Sequence, residues 1–236
     1  MFSDVIALYR ASLLSDEVNE RRAIHRIIAE LAKTEHANFV RLCRDLLDDP
    51  QIEVRQRILF FVMRFGDRDD AVTESRVLAA LTVPELQARS ILALGTVGTA
   101  RAFPILWDYA QARSPIGLRA ASNQVRTSGQ RAQVLELARR FMLVPGAAAT
   151  DLREESLQVL LRLSTILEEL DVLLAVARRF TEDDVIWSLG NANVDANARA
   201  TIATELRAIQ TDYPEDCVEY KSLSYAIATL EQQRAT

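Results

Sequence analysis

Few residues in this chain have the type and spacing that chemistry demands. A Ser-His-Asp or Cys-His catalytic set needs an imidazole, and the 236 residues hold two, His25 and His36. His25 follows the apolar Ile24 within a helical pattern and reads as a packed or capping side chain. His36 follows Glu35 at a helix start and reads as a surface residue. With no His-Glu-x-x-His run and no cysteine pair beside them, the two make poor metal ligands. Cys43 and Cys217 lie far apart in sequence, so no disulfide framework or cysteine-based zinc site follows. Cys43 sits among Phe39, Val40, Leu42 and Leu46, which predicts a buried thiol. Gly95-x-x-Gly98 lacks the Lys-Ser/Thr pair and the preceding strand of a phosphate loop. Three acidic clusters, Asp67/Asp69/Asp70, Glu168/Glu169/Asp171 and Glu182/Asp183/Asp184, each precede or open a helix, where carboxylates favour the macrodipole. Asp67-Arg68-Asp69-Asp70 has neither the spacing nor the closing glutamate of a calcium loop. No catalytic residue, cofactor or metal is assigned, and the balance tilts away from an enzyme.

The elements that position these residues follow from composition. Only 7 glycines and 6 prolines are present, and 49% of residues are hydrophobic against 26% charged. So few turn-formers argue against a strand-and-turn protein, and the Ala/Leu/Arg/Glu-rich mix favours helix. The net charge is −5, distributed unevenly: residues 151–236 carry 8 basic and 16 acidic side chains, and the first 150 carry 20 and 17. An acidic C-terminal third suits a basic partner and repels phosphates; its plainer role is a solvated, solubilising end. The opening Met1-Phe-Ser-Asp has no basic n-region followed by an apolar stretch, so a secretory signal is not expected, and the apolar run Ile58 to Met63 is too short to span a bilayer. The expectation is a cytoplasmic protein with no membrane contact.

Self-similarity is the strongest signal. Aligned on Arg21, Arg55, Arg89, Arg119 and Arg153, the flanking columns repeat at helical offsets. Three residues before the arginine stand Val18, Ile52, Leu86, Ile116 and Thr150. Three after stand Ile24, Ile58, Leu92, Ser122 and Ser156; six after, Ile27, Phe61, Gly95, Val125 and Val159. Asp49-Pro50, Val83-Pro84 and Ser114-Pro115 supply start signals for these anchor helices. A second helical pattern fills each gap, over 3–13, 35–47, 69–81, 99–112 and 129–143. The unit is a pair of antiparallel helices, neither able to bury its apolar stripe alone.

Ile91-Leu-Ala-Leu-Gly95-Thr-Val-Gly98-Thr-Ala-Arg101-Ala-Phe-Pro104-Ile-Leu resembles the HEAT repeat in its bilin-lyase-like form. Asp49-Pro50-Gln-Ile-Glu-Val54-Arg55 is similar to that repeat's start, and Phe65-Gly66-Asp67-Arg68 to its inter-unit turn. The resemblance implies an all-α, right-handed α-solenoid of five to six helix pairs forming one domain over 1–236. It is clearest over 16–165 and looser over 166–190. Residues 191–236 depart from it and read as a C-terminal cap of two helices, near 194–210 and 215–233. The family implies that the second helix of each pair lines a concave face. It also implies that the anchor arginines form a ladder between units, paired with turn carboxylates such as Asp49. Some HEAT-type DNA alkylation-repair glycosylases use tryptophans and an aspartate in a basic groove. Trp107-Asp108 and Trp187 bear on that role, but packing is the better reading in so acidic a chain.

At 100° per residue, offsets −2, +2, +5 and +9 from each arginine point away from the apolar stripe. These positions include Arg57, Phe60 and Arg64, then Ile91 and Leu94, then Gln124, and finally Glu155 and Gln158. They are the candidate partner-binding residues. Phe60, Ile91 and Leu94 are large apolar groups where a wet face is expected, which marks either a partner site or packing between adjacent anchor helices. The resulting functional expectation is a non-enzymatic protein-interaction module of the scaffold or adaptor kind. Its partner would be a protein, and the acidic end suits a basic one. Three alternatives stand: an inhibitor or immunity-type protein neutralising a basic toxin, a HEAT-type enzyme (DNA alkylation-repair glycosylase or bilin lyase subunit), and one part of a larger assembly.

Nucleic acid is not the expected ligand. A gel shift with duplex DNA at physiological salt should show no appreciable binding; micromolar affinity with a steep salt slope would overturn this.

Overall fold

The computed structural model describes residues 2–232. Among them every regular element is helical: fourteen α-helices and two short 3-10 turns. The chain divides into two compact units, Met1–Gln130 and Arg131–Thr236.

In the first unit the helices are α1 (Phe2–Leu14), α2 (Val18–Thr34), α3 (His36–Leu47), α4 (Ile52–Phe65), α5 (Ala71–Leu81), α6 (Gln87–Val97), α7 (Ala102–Gln111) and α8 (Pro115–Asn123). Sequence neighbours pair as hairpins: α1 with α2, α3 with α4, α5 with α6 and α7 with α8. The anchor helices also pack in succession, α2 on α4, α4 on α6 and α6 on α8, while α1 touches α3 and α3 touches α5. Of the repeat columns, Ile24, Ile58, Phe61 and Leu86 are buried, but Val18 and Ile27 of α2 are 49% and 51% exposed; Ile28, Val54, Val62, Ala93 and Val97 beside the columns are buried too. Gly95 permits a close crossing. A Cβ there would lie 2.8 Å from the Ala120 Cα, so α6 and α8 approach backbone to backbone.

The start signals act unequally. The Ser114 hydroxyl caps α8 by accepting from the Gly117 N–H at 3.1 Å, with Pro115 as its first residue. Pro84 opens a 3-10 turn, Pro84–Leu86, ahead of α6. Asp49 caps nothing; it accepts from the Gln51 N–H at 2.8 Å and from the Arg10 guanidinium at 2.6 Å.

That last contact corrects the arginine ladder. Asp49 pairs with Arg10 of α1 rather than with an anchor arginine. Arg21 donates to the Ser15 carbonyl, and Arg89 donates to the Gln56 carbonyl at 2.7 Å. The Arg55 Nε is buried without a partner. Among the anchors, Arg153 does reach a carboxylate, Glu182. The inter-hairpin ion pairs come from other arginines: Arg44 to Asp70, Arg101 to Glu74 and Arg126 to Asp69. The repeat fixes where an arginine stands, but the partner within reach depends on the hairpin opposite it.

The second unit holds α9 (Ser128–Met142, its first turn crossing the boundary), α10 (Thr150–Leu163), α11 (Leu170–Phe180), α12 (Asp183–Gly190), α13 (Ala196–Gln210) and α14 (Val218–Gln232). The last two match the two helices expected near 194–210 and 215–233. The acidic clusters do more than favour helix starts. Glu169 is 1% exposed and takes a bidentate pair from Arg139, at 2.7 and 2.6 Å. Burial by itself raises the Glu169 pKa, but hydrogen bonds from Arg139 and Ser164 and the Arg139 charge outweigh it and hold the carboxyl below its ordinary value. Asp70 behaves alike: Thr73 and Arg44 overcome its burial.

Removing one partner of a buried pair strands the other. Arg139→Ala should therefore cost about 3 kcal/mol by chemical denaturation, and adding Glu169→Gln should recover part of it. Because the folded pKa values of Glu169 and Asp70 are depressed, their contribution is complete above the ordinary carboxyl value. It is lost as pH falls through that value toward the folded one. Melting temperature should fall across that acidic window in the wild type and fall less steeply in the double variant.

Candidate functional site

The best-formed concavity of the first unit lies where α2, α4 and α6 meet. A cleft of about 390 Å³ is lined by His25, Arg57, Leu59, Phe60, Met63, Arg89 and Leu92. A second, of about 400 Å³, is lined by Val18, Arg21, Arg22, His25, Arg26 and Arg57. The two share His25 and Arg57, so an apolar floor runs into a cationic extension.

His25 reaches the cleft from α2 because it stands one residue past the buried Ile24. Its ring meets Phe61 edge-on at 5.0 Å and stacks over Phe60 at 6.4 Å. Burial, then the charges of Arg57 and Arg21, lower its pKa, so the ring is neutral near pH 7. Its Nε2 is buried and unpartnered. Burial lowers the Arg57 pKa too, joined by the charges of Arg21 and Arg89, against which Glu53 acts. No carboxylate and neither tryptophan lines the two clefts. Without an acid or hydroxyl beside His25, the site offers no general acid–base pair. Its chemistry is that of guanidinium groups, which bind carboxylate or phosphate through planar paired donors, set around an aromatic and thioether floor.

The candidate residues separate. Arg57 and Phe60 line the cleft, with Phe60 37% exposed. Arg64 is exposed on the last turn of α4, its guanidinium 5.6 Å from the Phe65 ring. Ile91 and Leu94 are buried, at 2% and 0% exposed, and the expectation that they face solvent is corrected. α6 is covered on both sides, by α4 and by α8, and at Gly95 a Cβ would lie 2.8 Å from the Ala120 Cα. On α4 the Phe61 ring packs edge-on to His25 of α2, beside the half-exposed Phe60. Gln124 is likewise buried: its Nε2 donates to the Gly95 carbonyl at 3.1 Å, closing the C-terminal end of α6. Glu155 is buried within α10, while Gln158 is exposed there, in the second unit.

Arg21, Arg22, Arg26, Met63 and Arg89 join the cleft although the helical-wheel offsets passed over them. One signal was available: Arg22 and Arg26 are like charges four residues apart, a spacing that costs a helix stability. His36 serves structure. Its ring bonds the Ala32 carbonyl at 3.0 Å and Asp67 at 2.7 Å, and these contacts raise its pKa. Cys43 is buried as expected, and desolvation pushes its thiol pKa up. Trp107 stacks on Phe103 at 6.0 Å, as packing requires. Trp187 does not pack: it is 61% exposed, a correction. It shares a groove of about 330 Å³ in the second unit with Asp183, Ile186, Lys221, Ser222, Tyr225 and Ala226. A Cβ on Gly190 would lie 2.8 Å from the Ala226 Cα, so the closeness of α12 to α14 sets these two aromatics in one groove.

Among the described residues no cluster of three or more His, Cys, Asp or Glu side chains is placed to hold a metal ion, and no helix is long and apolar enough to cross a membrane. Set against protein-family models, curated proteins and solved structures, the chain matches none of them.

The differing burial predicts opposite responses to charge. Leu94→Asp should lower stability by about 4 kcal/mol or prevent folding, since it buries an unpaired carboxylate. Phe60→Asp, with its side chain at the cleft mouth, should cost about 1 kcal/mol. Thermal and urea melts compare the two directly; equal losses would place Phe60 in the core.

Proposed function

We propose that this chain is a HEAT-like α-solenoid that recognises a protein partner without catalysing a reaction. The observation that carries the reading is the open cleft beside Phe60, where an exposed aromatic, a methionine and two leucines share the lining with Arg57 and Arg89. Aromatic and methionine side chains flanked by arginine are the composition of protein-binding hot spots, and the cleft lacks the paired groups that acid–base chemistry uses. The solenoid part of the reading is supported by the succession of α2, α4, α6 and α8, each packed on the next. We place the protein in the cytoplasm, a reading supported by its two free cysteines.

A second reading has its own observation. The Trp187–Tyr225 groove lies in an acidic stretch and includes Asp183. That favours a basic partner for the second unit, as an inhibitor of a cationic protein would need.

A photo-cross-linking phenylalanine analogue at position 60, expressed in the native host, tests the main reading. Irradiation should give a discrete adduct with another polypeptide, identified by mass spectrometry. The same analogue at the exposed Thr204 should not give that adduct. Absence of any protein adduct at position 60 would overturn the reading.

A further inference from the structure

The cationic extension of the cleft is out of keeping with the rest of the molecule. The chain is net negative, and other arginines of the first unit close on carboxylates: Arg10 on Asp49, Arg44 on Asp70, Arg76 on Asp48, Arg101 on Glu74 and Arg126 on Asp69. Arg64, over the Phe65 ring, and Arg68, on the Val125 carbonyl, meet no carboxylate among the described residues, and around the cleft such arginines gather. Among the described residues Arg22, Arg26 and Arg57 form no ion pair and no hydrogen bond through their guanidinium groups; Glu53 is the carboxylate whose charge acts on Arg57. Arg21 and Arg89 each give one nitrogen to a backbone carbonyl and keep further donors free. Arg57 thus meets the like charges of Arg21 and Arg89, with Glu53 acting against them, and Arg22 and Arg26 line the same joined clefts.

We propose that this cleft binds an acidic peptide segment of a partner protein, one that seats an apolar side chain on Phe60, Met63 and Leu92 and places carboxylates against Arg21, Arg22, Arg26 and Arg57. The proposal rests on the reading of the chain as a protein-recognition module and names the chemistry of its partner. Two features set a peptide apart from a nucleic acid. The cations adjoin an apolar floor, which a phosphate backbone does not require. The floor itself is aliphatic and thioether as well as aromatic, a surface for an apolar side chain. The two clefts join at His25 and Arg57, so the apolar anchor and the carboxylates come from adjacent positions of one segment. Arginine suits that role because its planar fork pairs with carboxylate through two parallel bonds.

The test uses the full chain and four fluorescein-labelled probes. These are a short peptide with one phenylalanine followed by a run of glutamates, its glutamine counterpart, its alanine-for-phenylalanine counterpart, and an oligothymidylate of equal charge. Fluorescence anisotropy at low and physiological salt should rank the glutamate peptide first. Its affinity should fall at least about tenfold on loss of either the carboxylates or the phenylalanine. Arg26→Gln and Arg57→Gln should each weaken it and flatten its salt dependence, whereas Arg178→Gln in the second unit should not. Because removing a repelling charge does not unfold a protein, the cleft variants should melt no lower than wild type while losing the stabilisation that the glutamate peptide confers. Equal binding of the glutamine peptide, tighter binding of the oligothymidylate, or no binding at low salt would each overturn the proposal. A cross-link at position 60 to a neutral segment of a partner would overturn the acidic preference and leave protein recognition standing. Absence of any cross-link would instead remove the recognition reading.

Discussion

An amphipathic helix of nine to seventeen residues cannot bury its apolar stripe against itself, and the first unit is organised around that constraint. α2, α4 and α6 each meet it twice, against a hairpin partner and against the next anchor helix. Ile58 and Val62 of α4, or Ala93 and Val97 of α6, are buried because both contacts are made. Their position in the succession also determines what remains uncovered. α6 has α4 on one side, α8 on the other and α5 behind it, and Ser90, Ile91, Ala93, Leu94, Gly95 and Val97 all disappear from solvent. α4 meets α2 less extensively than it meets α6, and the open seam between α2 and α4 is the cleft.

Charge is arranged around the same seams. Buried or half-buried carboxylates such as Asp49, Asp70, Glu74 and Glu169 are matched by arginines from a different helix. Such pairs add little net stability over an apolar replacement but penalise any misplacement of the hairpins that carry them. The arginines of the cleft have no such partner. Arg22, Arg26 and Arg57 instead gather at one cleft without an ion pair, and the acidic segment proposed for that cleft would supply the missing counter-charge.

The same pattern clarifies why position alone misjudged several residues. Phe60, Leu94 and Gln124 occupy one offset of the repeat, five residues past the anchor arginine, yet they are respectively 37%, 0% and 1% exposed. A helical wheel treats each helix as if its neighbours stood at a fixed distance. Here the neighbours differ: α6 is covered by α4 and by α8, which approaches at Gly95, whereas α4 meets α2 less extensively than it meets α6. His25 shows the converse. Its apolar context correctly marked it as packed, but packing against Phe60 and Phe61 puts it at the wall of the cleft rather than away from it.

Sequence by itself determined the all-helical class, the hairpin-by-hairpin order of the first unit, the bounds of seven of the fourteen helices to within a few residues, the final pair among them, and the burial of Cys43. These are consequences of local periodicity, capping and turn chemistry, which act over a few residues and are written directly in the chain. Tertiary structure decided which carboxylate each arginine meets, that Ile91, Leu94, Gln124 and Glu155 are interior, that Trp187 is exposed, and that arginines from α2, α4 and α6 converge around Phe60. Each of these depends on the distance between helices remote in sequence. Contacts such as Gly95 on Ala120 and Phe61 on His25 each take a residue from two helices, and no single helix carries them.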